Sequence, residues 1–340
     1  MKSKVVIGIV LVGLLVGSAG LAVGPSEAPR KNVAILLFPG VQIIDYTGPW
    51  EVLGHASVNG QPAFRIYSVA ESLTPITTSM GMSVNPAFTF ANAPRPDVIV
   101  VPGGGVDPQL ENAATLEWLR ARTRNAEVVL SVCNGAFFLA KAGLLDGLEA
   151  TTFAGLIDEL RAAAPKTKVV TDKRFVDNGK IVTAAGLSSG IDGALHVIEK
   201  LYGRGTAQVA AVSLEYDWRP DSGYARASLA DRHLSAAYGA IREYSRTVVR
   251  HEGTRERWET SWRIQTDAPP RAVLEKLDAA LSAEKGWARQ DRRDAAGSAE
   301  SRWRLRDGDG SAWTEATRVE EVKGEKGCRV TVTVVRAATG

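Results

Sequence analysis

The sequence predicts an α/β protein, a mainly parallel sheet between layers of helices, followed by a small C-terminal α+β domain. Three observations predict it. Apolar, β-branched runs at 32–38, 64–70, 97–101, 127–132 and 181–184 alternate with helical stretches. The runs are mostly apolar throughout, as strands covered on both faces are. Turn residues close two of the strands, Pro39-Gly40 and Gly103-Gly104-Gly105.

The first run, NVAILLF at 32–38, passes into a helix around Gly48-Pro49. Asp45 falls in that passage between Ile44 and Tyr46, where a carboxylate is either a helix cap or a functional group. After the strand at 64–70 comes a Thr-, Ser- and Gly-rich excursion over 74–90, and then PDVIVVPGGG at 96–105. Glycines directly after a strand let a backbone N–H approach a developing anion closely, and they serve equally as a tight turn. The GxGxxG spacing of a dinucleotide site is absent. A helix is expected over 108–125.

The chain is organised around EVVLSVCNGAFFLAKAG at 127–143, a buried strand that turns abruptly into an Ala-rich helix ending at Gly143. Cys133 sits on that turn. A residue held there takes a sparsely populated backbone conformation and points out above the carboxyl end of the sheet. Free N–H groups at the helix start would favour its thiolate. Free cysteine is also among the most buried residue types, so the local pattern serves a packing role equally well. Beyond it, DNGK at 177–180 reads as a hairpin turn, and a Gly- and Ser-rich loop leads into the amphipathic helix carrying His196. His55 and His196 read as surface or packing residues, not metal ligands.

The chain has 340 residues, net charge +3 and two cysteines, Cys133 and Cys328. Basic and acidic residues are interleaved, which leaves no nucleic-acid footprint. The wide separation of the cysteines argues against a disulfide framework. No motif calls for a metal or a cofactor. Lys2 and Lys4 precede an uncharged run at 5–23 that ends in small residues. That is the layout of a secretory signal, and the run is also long enough to serve as a membrane anchor. We therefore divide the chain into a signal or anchor with linker at 1–30, a main domain at 31–235 and an extension at 236–340, and expect it to be exported. In the extension, a helix over 228–249 and a unit of βαβββ order are expected, with a core drawn from Trp258, Trp262, Trp287, Trp303 and Trp313.

DYTGPWEV at 45–52, VPGG at 101–104, SVCNGAFFLAKAGLLDG at 131–147 and FVDNGKIVTAAGLSSGIDGALHVIEKLYG at 175–203 together resemble the ThiJ/PfpI family. The pattern is most similar to its isonitrile hydratase branch and to the amidotransferase-like domains of some transcription regulators. The resemblance implies a flavodoxin-like sandwich, a homodimer, a small-molecule substrate and Cys133 as nucleophile. It implies that Asp45 manages protons at the sulfur and that N–H groups near Gly104 and Asn134 hold developing negative charge. Two positions depart from the family. Asn134 stands where the hydratases usually carry threonine, and Phe153-Ala154 stand where peptidase members place histidine, which disfavours a Cys-His hydrolase.

Overall fold

The computed structural model describes residues 30–337 apart from 223, 309 and 325. The apolar run at 5–23 lies outside the described residues, and among those described no helix is long and apolar enough to cross a membrane.

A seven-stranded sheet forms the main domain, in the order Phe175–Asp177, Ile181–Ala184, Val128–Val132, Val98–Val101, Lys31–Leu36, Phe64–Ala70 and Phe88–Thr89. Every pairing is parallel except that of Phe175–Asp177 with Ile181–Ala184, a hairpin turned at Asn178-Gly179. Helices Ile43–Gly54, Ser189–Tyr202 and Arg204–Ser213 pack together, as do Ala113–Thr123, Ala136–Lys141 and Ile157–Ala163. The sheet lies between the two groups, in agreement with the flavodoxin-like architecture. The helix expected over 108–125 is divided: Asp107–Glu111 is a 3-10 turn, and Asn112 then caps Ala113–Thr123 by accepting from Thr115 N–H at 3.1 Å.

The strand order positions the site. Lys31–Leu36, Val98–Val101 and Val128–Val132 are neighbours, so the segments leaving their carboxyl ends are brought together. Those segments carry Asp45, Gly103-Gly104 and Cys133. Helix Ser189–Tyr202 is drawn tightly onto the elbow strand, because a Cβ at Gly190 would stand 2.8 Å from Val132 Cγ1 and one at Gly193 2.9 Å from Leu130 Cδ1.

The C-terminal unit is a six-stranded antiparallel sheet with helix Pro270–Ala283 packed on it. Arg246–Gly253 and Trp287–Ala295 add two edge strands to the expected order, giving ββαββββ. Both are charged and largely exposed, so neither shows the apolar alternation that marks a strand in sequence. The helix expected over 228–249 does not form. Leu229 is extended, Ser235–Ala240 is a short helix, and the β-branched Thr247-Val248-Val249 joins the edge strand. Leu229, Leu234 and Ile241 pack into the C-terminal core, so that core begins ahead of residue 236. Trp258, Trp262, Trp303 and Trp313 are buried in this unit, while Trp287 is only half-buried.

Candidate active site

Cys133 has φ +58°, a left-handed conformation that costs a residue with a Cβ about 1–3 kcal/mol and must be held by its surroundings. Its N–H donates to Ala185 O at 3.1 Å, and its carbonyl accepts from Thr152 Oγ1 at 2.8 Å. Glycine at 135 lets the chain turn, because a Cβ there would stand 2.1 Å from Val101 O. Cys133 is 8% exposed and borders a cleft of about 380 Å³ lined by Gln42, Ser79, Gly104, Cys133, Asn134, Phe153, Leu156 and Leu187. No charged side chain is among these eight.

Asp45 lies in the first turn of helix Ile43–Gly54 but does not cap it. It is fully buried, and its Oδ2 accepts from Gly103 N–H at 3.1 Å. Oδ1 is buried with no well-formed hydrogen-bond partner. Burial pushes this carboxyl up to about 6, against the opposing pull of the Gly103 N–H, the Cys133 thiol and the Leu187 N–H.

The thiolate expected at a helix start is not the resting form. Burial first, and the negative charge of Asp45 second, push the Cys133 thiol up to about 12, while the N–H groups of Asn134 and Leu187 pull it back. The helix beyond the elbow, Ala136–Lys141, spans only six residues, and its dipole is outweighed. Thiol and carboxylate therefore rest side by side, the proton on sulfur.

Gly104 is also placed differently from the expectation. Its N–H donates to Asn134 Oδ1 at 2.8 Å while Asn134 Nδ2 donates to Gly104 O at 2.8 Å, a reciprocal clasp that occupies this N–H. Gly104 has φ +128°, and a Cβ on it would meet Gly40 O at 2.3 Å. Glycine is required here for close approach of two loops. The N–H groups that face the sulfur are those of Asn134 and Leu187. Sequence reasoning missed Leu187: its φ of +55° is a second strained conformation at the cleft, and nothing in a leucine signals it.

His196 is held between Asp177 and Glu199 with Phe175 stacked on its ring, away from the cleft, consistent with a packing role. A wider depression in the C-terminal unit is lined by Gln265, Thr266, Asp267 and Lys326, with neither cysteine nor histidine among them. Among the described residues no group of three or more His, Cys, Asp or Glu could hold a metal ion.

A profile of the DJ-1/PfpI family matches residues 31–200, the segment that holds the elbow, the glycine turn and Asp45. The chain belongs to the DJ-1/PfpI family. Within it, the chain is 41% identical over 198 residues to the isonitrile hydratase of Pseudomonas putida, an alignment covering 56% of this chain and 82% of that protein. It is 29% identical over 199 residues to an HTH-type transcriptional regulator of Pseudomonas aeruginosa, covering 58% of this chain and 59% of the regulator. Among solved structures, a ThiJ/PfpI family protein from Pseudomonas syringae superposes with TM-score 0.54 and 29% identity, covering 64% of this chain and 93% of that one. All three coverages leave much of this DJ-1/PfpI chain unmatched.

Proposed function

We propose that the chain is a cysteine-dependent hydratase acting on a small electrophilic carbon, with an isonitrile as the substrate that fits best. One observation carries this reading: a fully buried carboxyl, pushed up to about 6, stands against a thiol on a strained elbow. A carboxyl that titrates near the working pH can both take and return a proton.

The Cys133 sulfur adds to the terminal carbon of R–N≡C. The thiol proton passes through Asp45 to that same carbon, giving the thioimidate R–N=CH–S. Water then adds across the C=N bond, oxygen to carbon and a proton to nitrogen. Collapse expels the sulfur, which regains a proton, and the formamide R–NH–CHO leaves. The N–H groups of Asn134 and Leu187 support negative charge on sulfur at both ends of this sequence. Phe153, Leu156 and Leu187 give R an apolar wall.

A ligand-sensing module is the second reading. It is favoured by the clasp of Asn134 on Gly104, which spends a polar side chain on the fold, and by the regulator relatives. A panel of isonitriles and α-oxoaldehydes offered to the protein and to Cys133→Ala separates the two. A hydratase yields formamide only with Cys133 present. A sensor binds ligand, raises its melting temperature and yields no product. The same proposal includes a homodimer, checked by sedimentation, and export through the Lys2, Lys4 and 5–23 segment, checked by cell fractionation.

A further inference from the structure

The loop that brings Leu187 to the sulfur has an anchor that the chemistry above does not use. Arg174 directly precedes the strand Phe175–Asp177, and its carbonyl accepts from Ala185 N–H at 2.8 Å, while Ala185 O accepts from Cys133 N–H at 3.1 Å. The Arg174 guanidinium pairs with Asp192, its Nε standing 2.8 Å from Asp192 Oδ2, and Tyr216 donates to the same oxygen at 3.1 Å. Asp192 is buried in the first turn of helix Ser189–Tyr202, immediately after the loop. On its other side Arg174 lies over the Tyr224 ring at 5.5 Å. Tyr224 belongs to the connector whose next anchor, Arg226, pairs with Asp231 and lies over Trp258 at 6.0 Å in the C-terminal core. Side-chain contacts joined by the 224–226 backbone thus connect that core to the nucleophile's loop.

We propose that Arg174 is a positioning residue: clamped on Asp192 and covered by Tyr224, it fixes the 185–188 loop so that the Leu187 N–H faces Cys133 and Asp45, and through it the C-terminal unit reaches the active centre. The proposal rests on Cys133 being the reacting group, not on the identity of the substrate. A buried aspartate that loses the cation paired with it must shift or protonate, and either response moves the start of the helix that carries the loop. Displacing the Leu187 N–H removes a donor that lowers both the Asp45 carboxyl and the Cys133 thiol, so both rise.

The test is the pH–rate profile of Cys133 alkylation by iodoacetamide, followed by mass spectrometry, which needs no substrate. Arg174→Met is expected to slow labelling at pH 6–7 on the order of tenfold and to move the inflection upward. Arg174→Lys restores part of the rate, and Tyr224→Leu gives a smaller change in the same direction. Should Arg174→Met fail to fold, Arg174→Met/Asp192→Asn removes both charges together and is expected to show the same slowing and upward shift. A folded variant of either kind with the parent's rate and inflection would overturn the proposal. Formamide assays on the same proteins report separately on the hydratase reading, whose failure would leave the alkylation result standing.

Discussion

Each half of this molecule buries a free cysteine and a carboxyl that burial pushes up, and only one half can use them. In the DJ-1/PfpI domain, Asp45 and Cys133 meet beyond the carboxyl ends of the two parallel strands that flank Val98–Val101, beside a cleft. In the C-terminal unit, Glu315 is fully buried with Oε2 unpartnered, and burial pushes it up to about 8. It sits mid-strand beside Thr317, whose hydroxyl donates to its other oxygen at 3.0 Å. Cys328 lies at the start of another strand, with its thiol 3.8 Å from Ala268 O. Burial perturbs a proton wherever it happens, but chemistry also needs a backbone that presents the group and a space in front of it. The elbow and the cleft, rather than the perturbed carboxyl, distinguish the two halves.

The largest break in that comparison is Cys133→Ala, expected to lower formamide turnover about a thousandfold or more, while Cys328→Ala leaves turnover unchanged. Asp45→Asn comes next, expected to lower turnover on the order of a hundredfold and to abolish the acidic inflection near 6 in the kcat/KM profile. Its alkylation at pH 9 should be faster than the parent's, because the charge that holds the thiol up is gone. It should also melt higher than the parent at pH 7.5 and not at pH 5. A carboxyl raised in the fold contributes stability below its unfolded value, and that stability is lost as pH rises through about 6.

The C-terminal unit sharpens the contrast. By the same sign, Glu315 contributes stability below its unfolded value that is lost as pH rises toward about 8. Glu315→Gln should flatten the fall in melting temperature between pH 5 and 8, an effect on the order of 2 kcal/mol, without altering turnover. The smallest expected effect is on Cys328→Ala, which removes a packed sulfur at a cost of about 1 kcal/mol in urea unfolding.

The parallel core was legible because its strands are continuous apolar runs punctuated by turn residues, and strand order alone then carried Asp45, Gly104 and Cys133 to one place. Proton positions were not legible. The sequence shows a cysteine at a helix start, but whether burial or the dipole prevails depends on Asp45 arriving from a segment far away in the chain. The clasp between Asn134 and Gly104 and the strained turn at Leu187 depend on loops meeting in space, and no local pattern announces them. In the C-terminal unit the edge strands Arg246–Gly253 and Trp287–Ala295 were missed because exposed edges carry charge where inner strands alternate.

The most direct test is the pH dependence of iodoacetamide labelling at both cysteines in the parent and in Asp45→Asn, followed peptide by peptide. Cys133 should react with an inflection near 6 that disappears in Asp45→Asn, while Cys328 stays unlabelled over the same period. Identical profiles in the two proteins, or labelling of Cys328 as fast as Cys133, would contradict a nucleophile and carboxyl sharing one proton.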